Sequence, residues 1–411
     1  MSQRTLNLGI LAHVDAGKTT LTERLLYAAG VIDEIGSVDA GTTQTDSLAL
    51  ERQRGITIKS AVVSFAVGGV TVNLIDTPGH PDFIAEVERV LSVLDGAVLV
   101  ISAVEGVQPQ TRVLMRALQR LRIPALLFVN KIDRAGAREE HVLRAISARL
   151  SAAIVPMGFT RGLGTRAAGF TPWREQDTGA RARLAETLAE RDDRILAAYV
   201  DDERAVPYRR LRRELAAQAR RALVYPVFFG SAVTGAGVPP LMTGLAELLP
   251  AAGGDAGGPV CGRVFKIERG AGGEKVAYVR MFSGTIRARD HDRDDKITAI
   301  AAFERGPATP RTSLRAGQIG ELWGPHDIQI GDHIGQPPPG GKRHQFAPPT
   351  LESVIVARRP GDRAKLSAAL RQLAEQDPLI NVRQARDETS VSLYGEVQKE
   401  VIQATLASFL R

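Results

Sequence analysis

Cysteine is almost missing from this chain, with Cys261 alone among 411 residues. A single thiol forms no internal disulfide and supplies no Cys-rich zinc site, and such sparse usage suits a reducing compartment, so the cytoplasm is the expected setting. Aromatic residues are also scarce, at 5% of the chain with two Trp. No apolar run approaches the roughly 20 residues that a membrane-spanning helix needs, so no membrane partner is expected. The amino end, MSQRTLNLGILAHVD, carries a short apolar run without a small-residue cleavage site and reads as a strand rather than a signal peptide.

Charge, by contrast, is plentiful. Lys and Arg number 53 against 46 Asp and Glu, a formal net charge of +7, and the sequence pI is near 9.7. That balance favours polyanionic partners such as nucleic acid, although an Arg-rich surface with no such partner gives the same number. At 44% apolar residues, the length accommodates several domains of roughly 100–200 residues each.

From Met1 to Pro250, short apolar β-type runs alternate with amphipathic helical stretches, the pattern of a doubly wound parallel sheet covered on both faces. The runs Val62 to Val67 and Val70 to Ile75 flank Gly68-Gly69, a hairpin signal because both central positions take positive φ. Ala97 to Ile101, Ala125 to Val129 and Val227 to Phe229 are continuous and apolar, as buried strands are. Phe83, Val87, Val90 and Leu94, and again Leu114, Ala117, Leu118 and Leu121, recur at helical spacing and predict core-facing stripes.

Residues 134–225 form a long insertion before the last strand, and its run Arg209, Arg210, Arg212, Arg213 reads either as an RNA contact or as a solvated helix face. A Gly-rich linker, Ala251 to Pro259, precedes short β runs over 260–340 that predict a small β-barrel. After a Pro- and Gly-rich stretch, 350–411 reads strand, helix, strand, strand, helix, an incomplete ferredoxin-like α+β module lacking its last strand.

The chemistry sits at the strand ends. Ala12-His13-Val14-Asp15-Ala16-Gly17-Lys18-Thr19-Thr20 follows the first strand and opens a helix carrying Leu21, Leu25 and Leu26. Backbone amides at a helix amino end are unsatisfied donors at the positive end of the helix dipole, so the segment reads as a phosphate loop. Gly17 lets the backbone approach closely, Lys18 places a charge on the β- and γ-phosphates, and the Thr19 hydroxyl suits Mg²⁺. The usual pattern begins with Gly, and Ala12 departs from it.

Asp76-Thr77-Pro78-Gly79-His80 ends the hairpin, where Asp76 can hold Mg²⁺ through water and the Gly79 amide can face a γ-phosphate. Asn130-Lys131-Ile132-Asp133 ends a later strand, and the Asp133 carboxylate can accept from guanine N1–H and the exocyclic amine, which adenine does not offer. Ser231-Ala232 ends the last strand, where a backbone N–H could donate to guanine O6. Four loops in this order, each at a carboxyl strand end, predict a P-loop site for GTP or GDP with Mg²⁺.

These residues resemble the translational GTPases. Arg54-Gly55-Ile56-Thr57-Ile58 looks like their first switch, which implies that Thr57 binds Mg²⁺ and the γ-phosphate, and His80 matches the histidine that positions the attacking water. AHVDAGKTT is similar to elongation factor G and its relatives. GTTQTDSLALERQRGITIKSA, CGRVFKIE and LYGEVQKEVI resemble the tetracycline-resistance ribosomal protection proteins.

The resemblance implies a monomeric, Mg²⁺-dependent GTPase acting on ribosomal RNA and proteins, stimulated by the ribosome, with Asp15 a candidate for a monovalent cation beside the phosphates. It also implies further domains in family members beyond the third, so the chain is expected to be truncated there. Two other readings compete: a GTP-gated RNA- or ribosome-binding module with negligible turnover, and a fragment of an elongation factor G-like translocation factor.

Overall fold

Strand propensity and punctuation are strongest in the amino-terminal half, and the elements follow them. A computed structural model of the chain describes residues 4–36, 43, 51, 56–201, 206–251, 253–270, 272–292, 295–337, 345–385 and 388–409. Arg54 and Gly55 of the expected first switch lie outside the described residues. The chain divides into two compact units, one made of Met1–Thr45, Phe65–Asp76 and Leu94–Ala252, the other of Asp46–Ser64, Thr77–Val93 and Gly253–Arg411.

The first unit is built on strands β1 (Arg4–Ala12), β2 (Ala61–Val67), β3 (Val70–Asp76), β4 (Gly96–Ser102), β5 (Ala125–Asn130), β6 (Ile154–Pro156) and β9 (Tyr225–Phe229), in the sheet order β2-β3-β1-β4-β5-β9-β6. β1 runs parallel to both β3 and β4, and β5 runs parallel to β4 and β9. Every residue of β3, β4, β5 and β9 is buried, which is why β4, β5 and β9 read as continuous apolar runs, whereas β3 also buries Thr71, Asn73 and Asp76. Gly68 and Gly69 turn the hairpin at φ 55° and 74°.

Helices α1 (Lys18–Ala28), α2 (Ile84–Leu91) and α3 (Pro109–Leu121) connect the strands. α1 buries Leu21, Leu25 and Leu26, and α3 buries Leu114, Ala117 and Leu118. The expected stripes are one residue too long at each carboxyl end: α2 stops before Leu94, and Leu121 is exposed.

Because β1 has β3 on one side and β4 on the other, successive connections leave it in opposite directions. That makes the carboxyl end of β1 the topological switch point, where open α/β sheets bind ligands. The insertion contributes α4 (Glu139–Arg149), the edge strand β6, a hairpin of β7 (Gly158–Arg161) and β8 (Gly169–Pro172), and helices α5 (Thr178–Ala189), α6 (Asp193–Asp201) and α7 (Tyr208–Arg220). α7 buries Leu211 and Leu215 while Arg209 and Arg213 face solvent, and Arg212 pairs with Glu247 of α8 (Val238–Leu248) at 2.7 Å.

In the second unit, β10 (Cys261–Arg269) and β11 (Lys275–Ser283) pair antiparallel within a six-stranded sheet. Val264, Val279, Met281 and Leu322 form its core, to which a short ribbon adds Ile286 and Leu314 and a neighbouring loop adds Ile297. Residues 351–409 add a three-stranded antiparallel sheet with α9 (Arg363–Gln376) and α10 (Glu396–Phe409). Leu366, Leu370, Val391, Leu393, Ile402 and Leu406 close that core.

Candidate nucleotide site

The loop after β1 is shaped by two residues in left-handed conformation, Asp15 at φ 63° and Gly17 at φ 86°. Asp tolerates that region through its short polar side chain, whereas at Gly17 a Cβ would also run into Nδ2 of Asn130. Ala12, the departure from the usual pattern, is extended and pairs with Val100 of β4, so its position needs no glycine. Gly17 is the N-cap of α1, and Lys18, Thr19 and Thr20 form the first turn of the helix, where amides lack intrahelical partners.

Lys18 and Asp76 meet at the base of this loop. The Lys18 Nζ lies 2.6 Å from Asp76 Oδ1, with the side chains 6% and 0% exposed. Thr22 Oγ1 donates to the same carboxylate oxygen at 3.3 Å. A buried lone charge is costly, and here each charge answers the other.

Asn130 has a role that its motif did not reveal. Its Nδ2 donates to the Ala16 carbonyl at 2.8 Å and its Oδ1 accepts from the Ala232 amide at 2.9 Å. The phosphate loop, the Asn-Lys-x-Asp loop and the Ser-Ala loop are therefore tied through one buried side chain. Ser231 N–H donates to the Ala236 carbonyl at 2.9 Å. Both amides of Ser231-Ala232 are thus engaged within the protein, and in this arrangement neither is the donor expected for guanine O6. Arg24 of α1 adds a bond from Nε to the Ala232 carbonyl at 2.8 Å.

Lys131, at φ 68°, and Asp133 follow the end of β5. Lys131 Nζ is 3.2 Å from Glu105, whose other oxygen is 3.4 Å from His13 Nε2. His13 Nδ1 is 3.1 Å from Thr111 Oγ1. Burial pushes the His13 imidazole below its ordinary value, against the opposing pull of Glu105. Burial would raise the Glu105 carboxyl, but hydrogen bonds from Lys131, Ser102 and His13 outweigh it and hold Glu105 below the usual carboxylate range. Asp15 is exposed at the rim of the loop.

Thr57, Gly79 and His80 belong to the second unit. Thr57 is buried, and the following amides of Ile58 and Lys59 donate to Glu51 Oε1 at 2.8 and 3.0 Å. His80 caps the short turn Pro81–Phe83, its Nδ1 accepting from the Asp82 amide at 3.2 Å. The same Nδ1 lies 3.4 Å from Asp82 Oδ1, so both the amide and the carboxylate of Asp82 face that nitrogen.

The hydroxyl of Thr19 and the carboxylate of Asp76 are hard oxygen donors of the kind Mg²⁺ takes. Among the described residues no group of three or more His, Cys, Asp or Glu side chains could hold a metal. Two such oxygen donors suit an ion that draws its remaining ligands from water and phosphate.

A doubly wound sheet with a phosphate loop at its switch point and these strand-end loops defines a P-loop nucleotide-binding protein. The family model described as the elongation factor Tu GTP binding domain matches residues 3–251. The chain belongs to that family, a guanine-nucleotide-binding family of translational GTPases.

It is 54% identical over 422 residues to the oxytetracycline resistance protein of Streptomyces rimosus, an alignment covering 98% of this chain and 63% of that protein. To the tetracycline resistance protein TetM of Streptomyces lividans it is 48% identical, covering 98% of this chain and 64% of the other. The chain thus spans less than two thirds of the length of these relatives. A crystal structure from Thermus thermophilus superposes with a TM-score of 0.84 at 25% identity, covering 99% of this chain and 66% of that one.

Proposed function

We propose that the chain is the nucleotide-switch portion of a ribosome-acting GTPase of the tetracycline-resistance ribosomal protection type, hydrolysing GTP to GDP and phosphate in the cytoplasm. The observation that carries the proposal is the buried Lys18–Asp76 pair beneath a loop whose other end is tied to the base-reading motif by Asn130. The names of the 54% and 48% identical relatives supply the biological direction.

A triphosphate entering the loop offers Lys18 a stronger anionic partner than Asp76, which frees that carboxylate for a cation. Thr19 and Asp76 would hold Mg²⁺, with Thr57 added on the strength of its motif. The ion supplies charge neutralisation to the phosphates when bound. The protein's share is positioning and electrostatics, because phosphoryl transfer demands little covalent work from it.

Lys18 and the amides of Gly17, Thr19 and Thr20 hold the phosphates, the Ala16 amide being on the His13 carbonyl at 3.3 Å, while Asp133 and Lys131 hold the base and select guanine. His80, whose Nδ1 is turned to Asp82, leaves Nε2 as the ring nitrogen that orients water. Gly79 and Thr57 report the γ-phosphate, the one group that distinguishes the two nucleotide states.

Single-turnover hydrolysis of GTP, with and without ribosomes, tests this reading. Ribosomes are expected to raise the rate by at least a hundredfold (~2.7 kcal/mol), and His80→Ala is expected to remove most of that rise while leaving GTP affinity within about twofold (~0.4 kcal/mol). Equal rates with and without ribosomes, in a protein that still binds GTP, would leave a nucleotide-gated binding module instead.

A further inference from the structure

The six-stranded sheet sends one buried cation to the segment that carries Thr57. In β10 the register against β11 shifts between Val264 and Lys266, so that Val264 faces Val279 and Lys266 faces Tyr278, with Phe265 as the extra residue. Such a bulge re-aims the side chains beside it. Val264, Phe265, Lys266 and Ile267 are all buried, as are Val276 to Met281 of β11, so this part of the sheet is covered on both faces and Lys266 has no wet side to turn to.

The ammonium of Lys266 has three N–H donors and three partners. It lies 2.5 Å from the Ser60 carbonyl, 2.7 Å from Glu268 Oε1 and 4.7 Å from the centroid of the Tyr278 ring. Tyr278 OH in turn donates to Glu268 Oε2 at 2.8 Å. Of these partners only Ser60 lies outside the sheet, three residues beyond Thr57 in the chain.

The rest of that segment is held at closely spaced points. The Ile58 and Lys59 amides are on Glu51, Ser60 Oγ donates to Glu86 of α2 at 2.7 Å, and Lys59 Nζ reaches Gln376 Oε1 at 2.7 Å. Among these anchors, Lys266 is the one that holds a main-chain carbonyl from the six-stranded sheet.

We propose that Lys266 is a positioning residue for Thr57: its ammonium pins the Ser60 carbonyl and so pre-organises the Thr57–Ser60 segment for a ligand with a γ-phosphate. The proposal rests on the reading of Thr57 given above. A segment that is already ordered costs less to engage, and the saving applies only to the nucleotide that engages it. GDP, which has no γ-phosphate, gains nothing from it. Loss of the pin therefore lowers affinity for the triphosphate state selectively, whereas general loosening of the fold would lower both.

The test compares equilibrium affinities of the full chain for GDP and for the non-hydrolysable analogue guanosine 5′-(β,γ-imido)triphosphate, in the wild type, Lys266→Met and Thr57→Ala. Lys266→Met is expected to reduce the ratio of analogue to GDP affinity about tenfold (~1.4 kcal/mol) with GDP affinity within about twofold (~0.4 kcal/mol) of wild type. Thr57→Ala is expected to reduce the ratio at least as much.

If Thr57→Ala lowers the ratio and a folded Lys266→Met does not, the pin is overturned while the reading of Thr57 stands. If Thr57→Ala leaves the ratio unchanged, both fall. Should Lys266→Met fail to fold, Glu268→Gln keeps the volume and weakens the anchor of the same ammonium. It is expected to lower the ratio about threefold (~0.65 kcal/mol), and an unchanged ratio there overturns the proposal as well.

Discussion

Replacing Asn130 by Ala tests whether the site is held together by one side chain. The truncation removes the donor to the Ala16 carbonyl and the acceptor from the Ala232 amide, bonds of 2.8 and 2.9 Å, at a residue 2% exposed. Each backbone group left buried without its partner costs about 1–3 kcal/mol, so the upper range is ~2–6 kcal/mol. Partial collapse and entry of water reduce this to ~2–4 kcal/mol. For a folding unit of this size that corresponds to roughly 4–16 °C in Tm.

The loss falls on the protein without nucleotide, because neither bond involves a ligand. Thermal and urea melts of the nucleotide-free protein, with GDP and GTP affinities measured beside them, give the readout. Both affinities are expected to fall together, since the distortion reaches the phosphate loop and the Ser-Ala loop alike. A variant that melts within about 0.5 kcal/mol of wild type while losing guanine binding would refute the bridging argument and return Asn130 to a pure base contact.

Other tests address the base and the buried histidine. Asp133→Asn is expected to lower GTP affinity at least a hundredfold (~2.7 kcal/mol) and to improve xanthosine triphosphate binding, read by competition; equal competition by ATP in the wild type would defeat the assignment. The His13 pKa is lowered in the folded chain, so the unfolded chain binds more protons. The stability that neutral His13 contributes is thus complete above the ordinary value near 6.5 and declines as pH falls through the folded value. His13→Gln should flatten the dependence of urea midpoint on pH below that point, and an unchanged slope would count against the assignment.

Much of the sheet was legible because strands buried on both faces leave unbroken apolar runs and because Gly68-Gly69 marks a hairpin without reference to anything distant. The loops were legible for a related reason: Asp76 and Asn130 stand at strand ends, and the loop with Gly17 begins where β1 stops at Ala12. The three-residue strand β6, which joins the sheet beyond β9, was not, since Ile154–Pro156 is too short for periodicity to register. Nor were the ties from His13 to Glu105, Asn130 to Ala16 and Arg24 to Ala232, which join residues 92, 114 and 208 positions apart. Local pattern identifies which residue types stand at a strand end, but not which of their atoms are already taken. The sequence places Asn130 at a strand end beside the expected nucleotide, and its ties to Ala16 and Ala232 emerge only from the fold.

The extended backbone at Ala12 bears on how such sites are recognised. Since that residue closes a ladder of β pairs rather than opening the turn, a methyl group there is no handicap, and a search demanding glycine first would pass over a chain fully able to form the loop. Tolerance along the loop is set by torsion angle, and the intolerant place is Gly17, five residues further on.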